Sequence, residues 1–430
     1  MAPGAGAGLA DWLAWIEGRH PAGIELGLER IARVARAMRL GRPARRVITV
    51  GGTNGKGSTS RFIEAIAAAA GYRVGVYSSP HLLDYNERVR VDGRDSTDAR
   101  LVEAFQAVER ARGDVPLTYF EFGTLAALHV FARSGLDLAV LEVGLGGRLD
   151  AVNIVDPDVS VITSVALDHQ DWLGADREAI GREKAGIMRG GRPVVLGEVD
   201  PPASVLRHAY ALGAFAIRAG SDYLVESVPG GWRWREPGFV VDLPAPALDA
   251  PVQRFNAAAA IAALRSARLR IPRAAMVEGV AQARLPGRLQ RVPRPGGGEL
   301  VLDVGHNPAA AAELARWLSG CPRRRCVVVL GMLADKDVAG VAAALAPDVD
   351  HWWLAGLDAE SPRGLSASAL GDRLGLPASS GRSQARDVGR ALAGALAGTG
   401  PEDLVLVTGS FHTVAAALRA LQDAAPAAPV

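Results

Sequence analysis

Residues 49–60 read TVGGTNGKGSTS. Glycines at this spacing leave backbone N–H groups open to phosphate oxygens, and a lysine among them can neutralise phosphate charge. The common phosphate loop runs G-x-x-x-x-G-K-[ST], with its hydroxyl residue directly after the lysine. Here Gly57 follows Lys56, and the hydroxyls come at Ser58 and Thr59, either of which could reach Mg²⁺. That offset argues against the loop of a small GTPase or an ordinary kinase. In LEVGLGGRLDA (141–151), Glu142 ends an apolar run just before a glycine-rich turn. In ALDHQDWLG (166–174), Asp168 and His169 follow the apolar run VSVITSV (159–165). A carboxylate in such a place is costly unless it is paired or bound to a metal. Singly, each could be a hydrogen-bonded structural residue; beside a phosphate loop they suggest hard-cation ligands around a nucleotide. LDVGHNPAA (302–310) brings Asp303, His306 and Asn307 to the end of another apolar run. The alternative there is a plain turn with Asp303 or Asn307 as a helix cap.

Lysine occurs only at positions 56, 184 and 336, and the other forty-five basic residues are arginine. Arginine is a permanently charged fork, whereas a buried lysine can lose its proton. The three lysines are therefore candidates for chemistry that arginine cannot perform. Lys184 lies in DREAIGREKAGIMR (176–189), a helical pattern in which an exposed lysine is the plain reading.

The elements that must position these groups can be read from hydrophobic period. VITV (47–50) predicts a buried strand, and Phe62, Ile63, Ile66, Ala67 and Ala70 fall at helical spacing after the loop. Strand, glycine loop and helix is the context a phosphate loop requires. Further strands are predicted at 137–143, 159–165 and 192–197, with helices around 98–112, 121–133 and 176–188. Such alternation predicts a parallel α/β sheet. RVPRPGGG (291–298) reads as a boundary or a turn close to one. Beyond it, runs at 300–304, 326–331, 351–356 and 403–410 predict a second, smaller α/β domain. GAGAG (4–8) has no strand before it and reads as a flexible tail rather than a dinucleotide fingerprint.

With 430 residues the chain is too long for one ordinary core. A formal net charge of +2 gives no nucleic-acid footprint. No apolar run approaches the ~18 residues of a membrane span, and the N-terminus lacks the basic and apolar regions of a secretion signal. Cys321 and Cys326 make no disulfide framework and no four-ligand zinc site. A soluble, cytoplasmic protein is the expectation.

GTNGKGS, SSPHL (78–82), EVGLGGRLDA, LDHQDWLG, REKAGI, DVGHNP and GSFHTV (409–414) together resemble the folylpolyglutamate synthase/dihydrofolate synthase family, whose relatives are the Mur ligases. The motifs run in order from about residue 24 to residue 414, so the resemblance spans essentially the whole chain. The extra glycine of the loop is typical of the folate branch. The implied fold is a Mur-ligase-like P-loop domain for ATP and pterin, residues 1–292, plus a smaller Rossmann-like glutamate ligase domain, residues 293–430.

The same resemblance implies roles. Asn54, Gly55, Lys56, Gly57 and Ser58 would hold the ATP phosphates, and Asn256, Arg288 and Asp303 would meet the rest of the nucleotide. Ser58, Ser79, Glu142 and His169 match magnesium ligands, some of them through water. Lys184 matches a lysine that the family carbamylates with CO₂, which only a neutral amine can take up, and which helps to position a second metal ion. His306 would lie near the reacting phosphoryl group, and Lys56, Glu142, His169, Lys184 and Asp303 complete the implied catalytic set. Leu26 and Gly27, Thr118, Tyr119, Phe120 and Glu121, and Leu149, Asp150 and Ala151 would meet the pterin.

The implied activity is ATP- and Mg²⁺-dependent ligation of L-glutamate to dihydropteroate and to tetrahydrofolates through an acyl phosphate, with room left for a monovalent cation. A monomer is expected, with no nucleic-acid or membrane partner. TYFE (118–121) resembles the dihydropteroate pocket of bifunctional bacterial members. A monofunctional folylpolyglutamate synthase is the alternative. A Mur-type peptidoglycan ligase would carry a further domain ahead of the loop, and a nucleotide switch would not need Glu142, His169 and Lys184 together. Lys336 in GMLADKD matches a family motif without an assigned role.

Overall fold

The run VITV is the middle of strand β1 (Arg46–Gly51), and five of its six residues are buried. Burial on both faces is what a central strand of a parallel sheet requires. The computed structural model describes residues 2–4, 6–20, 25–294, 297–377 and 379–424. Around β1 lie β2 (Val74–Tyr77), β3 (Val89–Val91), β4 (Arg94–Asp95), β5 (Leu138–Glu142), β6 (Val159–Ile162), β7 (Pro193–Leu196) and β8 (Phe215–Arg218). They form one sheet in the order β4-β3-β2-β5-β1-β6-β7-β8. From β2 to β8 every neighbouring pair is parallel; β3 and β4 join antiparallel at one edge. The C-terminal ends of β2, β5, β1 and β6 therefore share one edge, where open α/β sheets hold their ligands.

A second, antiparallel sheet is built from β9 (Leu224–Val228), β10 (Gly231–Glu236) and β11 (Phe239–Pro244). Trp232 and Trp234 of β10 point inward together, and their indole N–H groups donate to Pro244 O (2.9 Å) and Ala258 O (3.2 Å). The remaining strands are β12 (Gln290–Val292), β13 (Glu299–Leu302), β14 (Cys326–Leu330), β15 (His351–Ala355), β16 (Arg382–Ala385) and β17 (Leu404–Thr408). Their order is β12-β13-β17-β14-β15-β16, parallel throughout except for β12.

By contacts the chain divides into two units. The first comprises Met1–Ala166, Gln170–Ala247 and Gln253–Arg284; the second comprises Leu167–His169, Leu248–Val252 and Leu285–Val430. The core of the first gathers Trp12, Phe105, Phe122 and Phe131 under β1, β2 and β5. That of the second gathers Trp317, Trp352, Leu330 and Leu406.

Several predicted elements shift for local reasons. The helix expected at 121–133 runs Tyr119–Ala132, because Thr118 and Glu121 cap each other's backbone N–H groups. The helix expected at 176–188 runs Arg177–Ala185, started by Asp176, whose side chain accepts from Ala179 N. The strand expected to reach residue 165 stops at Ile162, since the next residues bind the phosphate loop instead. RVPRPGGG lies within the second unit, and its Arg291 and Val292 end β12, paired with Val301 and Leu300 of β13; its Pro295 and Gly296 lie outside the described residues, as does Ala5 of GAGAG. The segment read as a tail gives way at once to the helix Leu9–Glu17, whose Leu9, Trp12 and Ile16 are buried.

Candidate active site

The phosphate loop leaves β1 at Gly52 and ends where the helix Lys56–Ala69 begins. Gly55 at the N-cap has φ of 87°, a left-handed conformation that suits glycine. A Cβ there would also come within 2.5 Å of the Asn256 side-chain oxygen. Gly52 is equally constrained: a Cβ would meet the Thr163 hydroxyl at 1.9 Å. No side chain caps this helix, and its N-terminal end is the pole of the helix dipole that favours an anion.

The loop is held from one side by the residues that continue β6. Thr163 Oγ1 and Ser164 Oγ donate to Asn54 O at 2.6 and 3.1 Å, and Asn54 N donates to Ser164 Oγ at 3.1 Å. Thr53 N donates to Ser164 O (2.7 Å), while Thr53 Oγ1 and Ala166 exchange two further bonds. Lys56 Nζ donates back to Gly52 O (3.0 Å) and Thr53 O (3.1 Å). Asn256, on the helix Gln253–Ser266, stands beside Gly55 and donates to Gln253 Oε1 at 2.9 Å.

Glu142 ends β5, in register with Val50 of β1. It is only 4% exposed, a burial that a carboxylate tolerates only with strong compensation. Ser79 follows β2, the next strand along, and Ser58 lies in the first turn of the loop helix. These hydroxyl and carboxylate oxygens form a donor set suited to a hard cation such as magnesium. Among the described residues, no group of three His, Cys, Asp or Glu side chains could hold a metal unaided. Magnesium characteristically keeps water and phosphate oxygens as ligands, so a sparse protein set is compatible with it. Lys184 is 3% exposed, which removes the plain reading of a solvated helix lysine. Its helix docks on the glycine turn after Glu142: Arg148 N donates to Glu183 O (2.9 Å), and a Cβ on Gly147 would meet that carbonyl.

Three segments expected to meet the pterin converge. Arg30 ion-pairs with Glu25, just before Leu26 and Gly27, and with Glu121 at 3.2 Å. The Phe120 ring fills the space a Cβ on Gly144 would need, and it stacks on Tyr77 with centroids 5.9 Å apart. Asp150 accepts from Gly144 N, Leu145 N and Val152 N, which fixes the turn between Glu142 and Leu149–Ala151. Burial pushes its carboxyl up to about 6 despite those donors. The Thr118 and Glu121 side chains are spent on the helix cap, so Tyr119 and Phe120, both half-buried, are the rings this segment offers.

In the second unit a compact polar cluster surrounds Asp168. Lys336 Nζ lies 2.6 Å from Asp168 Oδ1 and 3.4 Å from His169 Nε2. Asn307 Nδ2 donates to Asp168 Oδ2 at 3.2 Å, and His306 Nε2 lies 3.5 Å from the same oxygen. Burial alone would raise the Asp168 carboxyl, but the His306 hydrogen bond and the Lys336 and His169 charges hold it far below the usual carboxylate range. Burial, with Lys336 and His306 nearby, pulls the His169 imidazole down to about 4. His169 has φ of 52°, a left-handed backbone that persists where surroundings over-determine it. Asn307 also caps the helix Pro308–Ser319, as the plain reading of that turn expected. Asp303 accepts from Leu289 N (2.9 Å) and Gly305 N (2.8 Å), joining the Arg288 turn to the end of β13. Burial raises its carboxyl, against the opposing Arg288 charge. The Arg288 guanidinium sits 5.1 Å from the Phe411 ring centre.

Residues 50–209 match the Mur ligase middle domain, and residues 287–411 match the Mur ligase glutamate ligase domain. The dihydrofolate synthase/folylpolyglutamate synthase of Escherichia coli (strain K12) is 47% identical over 96% of this chain and 95% of its own length. The chain belongs to the dihydrofolate synthase/folylpolyglutamate synthase family. A solved structure of the E. coli family member in complex with DHPP and ADP matches with a TM-score of 0.93 at 46% identity, covering 98% of this chain and 99% of that one. A bifunctional folylpolyglutamate synthase/dihydrofolate synthase with Mn, AMPPNP and L-glutamate bound matches at 0.91 and 47% identity, covering 98% and 100%.

Within this family frame, reading the sequence missed Arg30, Thr163 and Ser164, and left Lys336 without a role. The scarcity of lysine was the signal that pointed to Lys336; its pairing with Asp168 crosses 168 positions and leaves no trace in local pattern.

Proposed function

We propose that this protein is an ATP-dependent ligase that joins L-glutamate to dihydropteroate, giving dihydrofolate, and extends reduced folates by the same reaction. The observation that carries the reading is the shared edge of β2, β5 and β1, which delivers Ser79, Glu142 and the phosphate loop side by side. Residues 1–292 would bind nucleotide and pterin, and residues 293–430 would serve glutamate ligation. The enzyme would act as a cytoplasmic monomer; no helix among the described residues is long and apolar enough to cross a membrane.

A carboxylate is a poor electrophile, and transfer of the γ-phosphoryl group gives it a leaving group. The glutamate amine then attacks the acyl phosphate, forming the amide and releasing phosphate. Loop N–H groups and Lys56 would offset charge on the transferring group, where fixed donors act most strongly. Magnesium, when bound, would neutralise phosphate charge; Ser58, Ser79, Glu142, His169 and Lys184 are the residues we assign to hold it, Lys184 as its carbamate. Asn256, Arg288 and Asp303 would orient the nucleotide, with His306 near the phosphoryl group. Phe120, Tyr119 and the Leu149–Ala151 turn would orient the pterin.

Side-by-side incubation with dihydropteroate or tetrahydrofolate, glutamate and Mg-ATP tests the reading. Formation of dihydrofolate and of a glutamylated folate, each with one ADP, is expected. Glutamylation of tetrahydrofolate alone would replace it with the monofunctional alternative, and no ADP from either acceptor would remove it.

A further inference from the structure

Both backbone polar groups of Val165 are held by side chains from outside the loop. Its N–H donates to Glu198 Oε1 at 3.1 Å, and its carbonyl accepts from Arg177 Nε at 2.8 Å. The two side chains are themselves joined, Arg177 Nη2 to Glu198 Oε2 at 3.2 Å. Arg177 also donates to Asp200 O at 3.0 Å, which fixes the guanidinium along the end of β7. None of these residues belongs to the family motifs described above. Resting on the ligase reading, we propose that Arg177 and Glu198 form a clamp on the Val165 peptide that positions the phosphate loop for the nucleotide.

The geometry gives the clamp a direct route. Val165 stands between Ser164 and Ala166, the two residues whose backbone and hydroxyl groups bind Thr53 and Asn54. Beyond Ile162 the segment keeps two backbone bonds to the β1 side, Thr163 N to Gly51 O (2.9 Å) and Thr53 N to Ser164 O (2.7 Å), and at Val165 the partners become side chains. A buried residue past the end of the ladder needs other partners for its N–H and C=O groups. Glu198 supplies one and Arg177 the other. A guanidinium fork suits this task, since it can reach a carbonyl and a carboxylate in one plane. Burial pushes the Glu198 carboxyl up to about 7, against the pull of the Val165 amide and Arg177. Displacement of Val165 would carry Ser164 with it and loosen the loop around Asn54, at a site where misplacement by about 1 Å can cost on the order of a hundredfold in rate.

Glu198 and Arg177 touch no substrate in this scheme, so they are positioning residues. Steady-state kinetics on the full chain, with Mg-ATP and dihydropteroate varied in turn, separate this role from simple structural support. Glu198→Ala is expected to raise KM for Mg-ATP about tenfold, the loss of roughly one good hydrogen bond, with KM for dihydropteroate within about twofold. Glu198→Gln keeps an acceptor for Val165 N and is expected to recover most of the loss. Equal changes in both KM values, or an unchanged KM for Mg-ATP in Glu198→Ala, would overturn the clamp. If the alanine variant does not fold, Arg177→Lys and Glu198→Gln carry the test. The lysine variant is then expected to raise the Mg-ATP KM selectively, and parity with wild type would overturn the proposal. A wild-type chain that releases no ADP with either dihydropteroate or tetrahydrofolate would instead sink the ligase reading itself.

Discussion

Forty-five basic positions in this chain accept arginine, and three do not. In the structure none of the three is a solvated surface group. Lys56 folds onto its own loop, Lys336 is 7% exposed against Asp168, and Lys184 is 3% exposed behind the glycine turn. Only an amine that can give up its proton reacts with CO₂, which a lysine can do and an arginine cannot. A guanidinium at position 184 would stay charged, add bulk in a packed site and offer no nucleophile. Lys184→Arg is therefore expected to lower turnover by about ten- to a hundredfold, the scale seen for loss of a metal-positioning group. The check is the initial rate of ADP release together with ¹³C NMR after incubation in labelled bicarbonate. Wild type should show a carbamate carbon that the variant lacks, and full activity in the variant would exclude carbamylation from the reaction.

The elements show why parts of the site were legible and others were not. The loop, Glu142 and the Asp303–Asn307 turn were readable because each follows an apolar strand, and strand ends in parallel sheets are marked by local pattern. β2 was missed because four residues with a glycine among them give too short a period to register. The antiparallel sheet β9–β11 was missed because its alternation is half-exposed, with only Trp232 and Trp234 fully buried on β10. TYFE read as a pterin contact, and structurally it is first a helix start: Thr118 Oγ1 accepts from Glu121 N at 3.2 Å, and Glu121 Oε2 accepts from Thr118 N at 2.8 Å. That box begins the helix Tyr119–Ala132, buried from Glu121 to Phe131, which carries Phe120 against Gly144. Removal of such a cap costs about 1 kcal/mol. Thr118→Ala should lose about that much in urea unfolding, with an unchanged m-value. A loss below a few tenths of a kcal/mol would mean that packing, rather than the cap, sets the start of this helix.

At the scale of the whole chain, two α/β units were expected from the alternation of runs, and two are present. Their interleaving was not legible. Leu167–His169 and Leu248–Val252 lie amid first-unit sequence and pack with the second, through contacts such as Asp168 to Lys336 and Asp249 to Arg291. Long-range pairs of this kind carry no period. Nucleotide binding should nonetheless be measurable in the stability of the chain, because a ligand that binds only the native state stabilises it by mass action. At free ligand about a hundred times its Kd the gain is ~2.7 kcal/mol. Mg-ADP at that level is therefore expected to raise the thermal midpoint clearly, and excess EDTA with the same ADP should abolish most of the rise. Lys56→Ala should show little shift, since its loop would keep its N–H groups but lose the cation facing the phosphates. Scanning calorimetry of both proteins with and without Mg-ADP decides the point. A variant that keeps the full wild-type shift would show that Lys56 does not contact the bound nucleotide, and the assignment of the loop would have to rest on its backbone alone.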